Sequence, residues 1–188
     1  MPTESTTIIL EEIMKALTQP NIGIVGMYGS SNANRKNAVD KVTKRVERDG
    51  LFNVVVQTSV TKKPDLKRIQ GELGNPLGLY LLHEKTPEER ATLLCERIKT
   101  KDKILIILDD LQAQIDLAEI GIPFGNDHKG CKILLVAENK EMLSHKMKTQ
   151  KEISVDEVEP SSSGPTRSHQ VQTCGIVLWI KRWCCPVH

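Results

Sequence analysis

Aromatic residues and charge of one sign are both scarce in this 188-residue chain. Phe, Trp and Tyr together make up 3% of it, and 26 Lys and Arg nearly balance 24 Asp and Glu, so the formal net charge is +2. The low aromatic content disfavours modules that stack bases on aromatic rings, and the near-neutral charge disfavours a strongly basic nucleic-acid binder. We therefore expect no nucleic acid among the partners of this protein.

Long apolar runs are also missing, since no stretch approaches the ~20 residues that a membrane-spanning helix needs. Residues 1–7 lack the basic stretch and apolar core of a secretory signal, so the sequence predicts neither export nor a transmembrane segment. Five cysteines are too few and too scattered for a disulfide scaffold. Cys95 and Cys131 fit small core residues in a reducing compartment, and the expected location is the cytoplasm.

Helical and strand patterns alternate along the chain. Short aliphatic runs predict strands at residues 22–27, 52–60, 103–110 and 132–136. Helical patterns lie before, between and after them, including one that opens with Thr86, Pro87 and Glu89, the residue types of a capping box. Because aliphatic strands without alternation are buried on both faces, this order predicts an α/β fold with a mainly parallel sheet and helices on both faces.

Composition divides the chain into three parts. Residues 1–20 are an N-terminal helix and lead-in, 21–158 form the α/β body, and 159–188 form a linker and tail that begins with a Ser/Pro-rich stretch. The tail contains incomplete patterns for a membrane-interface segment, for a prenylation box and for a metal site built on Cys184, Cys185 and His188. An unselected tail is the simpler interpretation.

The turn after the first predicted strand carries an incomplete phosphate-binding motif. The full motif needs Gly, four further residues and then Gly-Lys-Ser/Thr. Gly29 fits, whereas Asn34, Arg35 and Lys36 stand at the positions of the second glycine, the lysine and the hydroxyl. Asn adds bulk, the planar Arg fork is not equivalent to a lysine ammonium, and Lys36 adds a cation where Mg²⁺ would lie.

Two interpretations of this turn are open. Basic residues at the start of a helix favour some affinity for anions, and a one-residue shift would place Lys36 at the lysine position and Asn37 at the hydroxyl position. The alternative is a solvated loop with surface Arg and Lys side chains. The candidate nucleotide-binding residues are Gly29, Asn34, Arg35, Lys36 and Asn37.

Two acidic residues close the predicted strand at 103–110. An apolar strand that ends in paired acids has the form of a Walker B strand, in which the first carboxylate holds Mg²⁺ and the second polarises an attacking water. Asp109 is the candidate metal residue and Asp110 the candidate catalytic residue. The alternative is a pair of solvated carboxylates at the end of a strand.

Four stretches, in this order, resemble the nucleotide-binding part of the NB-ARC domain of plant coiled-coil NBS-LRR disease-resistance proteins. They are NIGIVGMYG, LFNVVVQTSVTKKPDLKRIQGELGNPLGL, ATLLCERIKTKDKILIILDD and AEIGIPFGNDHKGCKILL, and the resemblance runs from about Thr7 to about Val158. It implies a P-loop NTPase-like three-layer sandwich, ADP or ATP with Mg²⁺ as ligand, and slow ATP hydrolysis. It also implies a role in plant defence, with other receptors of this family or immune-signalling proteins as partners.

The sequence departs from the family pattern at several functional positions. The family usually has GMGGVGKTT where this chain has GSSNANRKN at 29–37, and Thr-Ser-Arg where it has residues 136–138, which end in Glu138. The GLPLA-type and MHD-type motifs of the ARC subdomains do not occur. The sequence therefore predicts a truncated defence-response module with impaired nucleotide binding and no expected catalytic turnover. The alternatives are a nucleotide-independent interaction module, an active small P-loop enzyme and a non-functional, decayed fragment.

Overall fold

A computed structural model describes residues 4–80 and 85–156 of the chain. The linker and tail expected at 159–188, with their cysteines, lie outside the described residues. The helices are α1 (Glu4–Thr18), α2 (Asn32–Asp49), α3 (Leu66–Gly74), α4 (Pro87–Lys99) and α5 (Leu117–Ile120). The strands are β1 (Ile24–Tyr28), β2 (Val54–Ser59), β3 (Ile104–Leu111), β4 (Cys131–Ala137) and β5 (Lys151–Ser154).

All five strands run parallel in one sheet, in the order β2-β3-β4-β1-β5. This confirms the predicted parallel sheet, and the four predicted strands are β1 to β4. The fifth strand was not predicted, because the sequence of Lys151–Ser154 is mostly polar and only Ile153 is buried. It lies at the edge of the sheet beside β1, where a half-exposed strand is stable.

Each face of the sheet packs against its own layer of helices. Ile104, Ile106 and Leu108 belong to the apolar cluster that contains residues of α3, α4 and α5. Leu105 and Ile107, which alternate with them along β3, belong to the cluster formed with α1 and α2. Since successive strand residues point to opposite faces, one aliphatic strand supplies both cores, and the predicted three-layer sandwich is confirmed.

Local sequence signals account for the ends of several helices. The Thr86 hydroxyl accepts a hydrogen bond from the Glu89 amide, and the Glu89 carboxylate accepts one from the Thr86 amide. This is the predicted capping box at the start of α4. Gly74 is the last residue of α3, and residues Met142–Lys146 form a single helical turn. That turn packs against Gly26, where a Cβ would lie 2.9 Å from Leu143 Cδ1.

Two neighbouring residues at the start of β4 illustrate how burial changes chemistry. The Lys132 side chain is 8% exposed, and its Nζ donates to the carbonyl oxygens of Gln19 and Ile22, which follow α1. Burial lowers the pKa of Lys132. Burial also raises the pKa of Cys131 to about 12, so its thiol stays protonated at neutral pH.

We expect Cys131 to resist alkylation in the folded chain. A thiol with a pKa of about 12 has almost no thiolate at pH 8, and Cys131 is also buried, whereas Cys95 is partly exposed. Iodoacetamide treatment at pH 8 followed by peptide mass spectrometry should label Cys95 and leave Cys131 unmodified until urea is added. Labelling of both residues at equal rates in the native chain would contradict this assignment.

Candidate functional site

The carboxyl ends of the parallel strands meet at one edge of the sheet, which is where an α/β sheet places its ligand site. Gly29 follows β1 at this edge, and Asp109 and Asp110 lie near the end of β3. Strand β4 separates β1 from β3, and the Gly29 amide donates to the carbonyl of Ala137 at the end of β4 (3.3 Å). The structure thus brings the two halves of the predicted site to the same edge.

The turn between β1 and α2 is shorter than a phosphate-binding loop requires. Helix α2 begins at Asn32, which leaves only Gly29–Ser31 between the two elements. The Ser31 side chain caps the helix by accepting a hydrogen bond from the Asn34 amide (3.3 Å). The Arg35 amide donates to the Ser31 carbonyl at 3.1 Å. The stretch 29–37, which aligns with the phosphate-binding motif, is therefore helical from Asn32 onward, because Ser31 is a good cap and starts the helix early.

Arg35 lies buried in the first turn of α2, and its side chain reaches back toward the residues that follow β1. It is 5% exposed, and Nη1 donates to the Gly29 carbonyl at 2.5 Å and to the Ser30 carbonyl at 3.4 Å. Nη2 donates to Asn32 Oδ1 at 3.4 Å and lies 3.8 Å from Asp110 Oδ1. Nε is buried and makes no hydrogen bond among the described residues, so the two terminal nitrogens hold the side chain. Arg35 is not the surface arginine of a solvated loop.

The other predicted nucleotide-binding residues of α2 point away from this contact. Asn34, Lys36 and Asn37 are exposed. Asn34 and Asn37 line a small cavity between α1 and α2, next to Leu10. The structure therefore places Gly29 and Arg35 together at the sheet edge, Asn34 and Asn37 beside the cavity between α1 and α2, and Lys36 on the exposed surface of α2.

The two carboxylates of β3 have different surroundings. The Asp110 amide donates to Asp109 Oδ1 (2.7 Å), and Gln112 Nε2 donates to Asp110 Oδ2 (2.6 Å). Asp110 has a φ of 47°, in the left-handed region that costs a non-glycine residue energy, and the pairing of β3 with β4 is irregular between Leu108 and Leu111. Asp110 is thus a strained residue whose carboxylate faces Arg35 and Gln112.

Asp156 is a site residue that the sequence did not reveal. It follows β5, and its two carboxylate oxygens each accept a hydrogen bond from the Ser30 amide at 3.0 Å. The Ser30 hydroxyl also lies 3.3 Å from Asp156 Oδ1. Because β5 was not predicted, nothing indicated that residues after it would reach the turn; the weak signal in the sequence was the pair Ile153 and Val155, two apolar residues two positions apart.

The residues present do not fit a nucleotide phosphate in this arrangement. Phosphate-binding loops present free backbone amides, a lysine and a hydroxyl to the ligand. Here the amides of Asn34 and Arg35 are engaged by Ser31, and the Arg35 guanidinium faces the carbonyls of the turn. Lys36 stands where the hydroxyl that would hold Mg²⁺ is expected. Among residues 4–80 and 85–156, no group of three or more His, Cys, Asp or Glu side chains is arranged to hold a metal ion.

A sequence profile described as the NB-ARC domain matches residues 6–164. The chain belongs to the NB-ARC domain family. Among its relatives in Arabidopsis thaliana, Disease resistance protein SUMM2 is 26% identical over 169 residues, covering 87% of this chain and 19% of that protein. Disease resistance protein RFL1 is 27% identical over 149 residues, covering 76% of this chain and 17% of that protein. This NB-ARC chain thus spans about a fifth of the length of these relatives.

A likeness to solved structures accompanies the family match. The ORC2 protein of Aeropyrum pernix, solved as ADPNP and ADP complexes, superposes with a TM-score of 0.49 at 17% identity, over 80% of this chain and 45% of that one. In the described part of the NB-ARC chain, no helix combines the length and apolar character needed to cross a bilayer.

We expect Asp110→Asn to destabilise the chain by about 1 kcal/mol, because it removes the negative charge beside buried Arg35 while keeping the size of the side chain. The loss of folding free energy is modest, because the Asp110 side chain is 39% exposed and water screens its attraction to Arg35. Urea unfolding followed by circular dichroism measures the difference. Asp127→Asn is the matched control, because Asp127 is exposed and makes no ion pair among the described residues. Equal stability of the two variants would contradict a role for the Asp110 charge.

Proposed function

We propose that this chain is the nucleotide-binding module of a plant defence protein and that its affinity for adenine nucleotides is impaired. The early start of α2 is the observation that carries this proposal, because it engages the amides of Asn34 and Arg35 within the helix. Membership of the NB-ARC family and the disease-resistance names of the relatives support the defence role.

The chemistry of the turn supports impairment rather than a mere change of ligand. A triphosphate or diphosphate needs several donors converging on its oxygens, and the positive end of a helix adds to them. In this chain the buried cation at position 35 is directed at carbonyl oxygens of the turn, and the remaining cation, Lys36, is exposed. A phosphate group would have to break these internal contacts before it could bind.

Hydrolysis of ATP is not part of the proposed function. In the interpretation from sequence, Asp109 would hold Mg²⁺ and Asp110 would orient water. Asp109 Oδ1 instead accepts from the Asp110 amide, and the two oxygens of Asp110 face Arg35 and Gln112. We propose these two carboxylates as remnants of a nucleotide-hydrolysing site that no longer turns over substrate.

The cellular location and the partners of the module are proposed from the family to which the chain belongs. We place it in the cytoplasm and propose other receptors of the same family or immune-signalling proteins as its partners. Such partners would contact the module whether or not a nucleotide is present. Binding to such partners therefore does not require that the module bind nucleotide tightly.

Titration calorimetry of the full chain with ADP and ATP, with and without Mg²⁺, tests the impairment. We expect a dissociation constant weaker than about 1 mM, which corresponds to only about 4 kcal/mol of binding free energy. The variant Asn34→Gly, Arg35→Lys, Lys36→Thr restores the motif and should bind at least tenfold more tightly.

Two comparisons make the titration decisive. Adding Asp109→Ala to the restored variant should weaken the Mg²⁺-dependent part of binding, whereas Asp127→Ala should not. Micromolar binding of ADP by the unmodified chain would overturn the proposed impairment.

A further inference from the structure

The turn at residues 29–31 is contacted from two sides by charged side chains of this chain. On one side Arg35 donates to the Gly29 and Ser30 carbonyls and to Asn32 Oδ1. On the other side the Asp156 carboxylate accepts the Ser30 amide with both oxygens. The carbonyl oxygens of the turn therefore face a cation, and the Ser30 amide faces an anion. Each backbone group thus has a partner of the opposite charge.

The Arg35 contact joins two separate elements of the fold. A guanidinium carries five N–H donors in a rigid fork, so one side chain can bridge several acceptors that a lysine could not reach together. Nη1 donates to the carbonyl oxygen of Gly29, which directly follows β1, and Nη2 lies 3.8 Å from Oδ1 of Asp110 in β3. Since β4 lies between these strands, Arg35 spans the strand that separates the turn from the acidic pair.

The Asp156 contact places side chains that follow β5 close to the turn. A Cβ at position 29 would lie 2.8 Å from both Asp156 Oδ1 and Val155 Cγ2, so a larger residue there would force these side chains to move. The Val155 amide also donates to the Tyr28 carbonyl at 2.8 Å, which continues the pairing of β5 with β1 up to the turn. Asp156 is therefore positioned by the sheet itself.

We propose that Arg35 and Asp156 are internal ligands of the Gly29–Ser31 turn and hold it in one conformation without any nucleotide. Asp110 is the counter-ion of Arg35 in this arrangement. The turn then presents the same surface whether or not adenine nucleotide is present. This inference goes beyond weak affinity, because it states what stabilises the turn rather than how tightly a nucleotide binds.

Amide hydrogen exchange of the full chain without nucleotide, followed residue by residue by NMR, tests the inference. Local opening exposes an amide to solvent, so loss of a contact that closes the turn raises its exchange rate. Arg35→Met should speed exchange at the amides of Gly29 and Ser30, the two residues whose carbonyl oxygens it releases, by roughly tenfold or more, as expected for lost hydrogen bonds of a charged group. Asp156→Ala should do the same at Ser30.

Matched controls separate a local effect from loss of the fold. Arg48→Met removes an exposed arginine from the same helix and should leave the turn unchanged. The amide of Ile106, in the buried β3, should exchange as in the unmodified chain in every variant. If Arg35→Met does not fold, Arg35→Lys and Asp156→Asn provide the same comparison with smaller changes, since each keeps a polar group but loses the fork or the charge.

The outcomes distinguish this inference from the proposed function. Exchange rates at residues 29 and 30 within twofold of the unmodified chain, in variants that keep the protection of Ile106, would overturn the internal-ligand assignment even if calorimetry shows no ADP binding. Fast exchange at the turn in the unmodified chain would overturn it as well. Conversely, tight ADP binding by a chain with a protected turn would overturn only the proposed impairment.

Discussion

We propose that the contact of the Arg35 guanidinium with the Gly29 carbonyl fixes the conformation of the turn after β1. A buried arginine keeps its charge, so it must find acceptors where it is buried. It finds them in the turn after β1, on Asn32 and near Asp110. At the edge where an α/β sheet ordinarily binds its ligand, the Arg35 guanidinium therefore contacts groups of its own chain.

The scaffold around this contact is an ordinary parallel sheet. The aliphatic side chains of β3 and β4 are buried on both faces of the sheet, because a layer of helices covers each face. Residues 29–37 supply no side chain to either of these two apolar clusters. The family fold can thus persist while the residues at positions 34–36 depart from the motif that binds phosphate.

Much of the fold was predictable because its signals are local. The run at 103–110 lacks alternation and is buried on both faces, and Thr86 and Glu89 form the capping box that their spacing predicts. Strand β5 was missed because an edge strand needs little apolar sequence. The early start of α2 was not predicted, because the phosphate-binding motif implies a longer loop, although Ser31 is a favourable cap.

The site itself was only partly predictable. Gly29, Asp109 and Asp110 were predicted as site residues from their places at the ends of aliphatic runs, and the sheet brings these strand ends to one edge. The inward direction of Arg35 could not be predicted, because arginine is mostly exposed and its burial depends on acceptors supplied by the folded turn. Asp156 lies 126 residues from Ser30, a pairing that only the position of β5 creates.

A crystal structure of the full chain grown with millimolar ADP and Mg²⁺ tests the central claim most directly. The account predicts α2 beginning at Asn32, the Arg35 guanidinium on the Gly29 carbonyl, the Asp156 carboxylate on the Ser30 amide, and no nucleotide in the turn. A nucleotide phosphate held by the amides of residues 30–35, with Arg35 turned out of the turn, would contradict it.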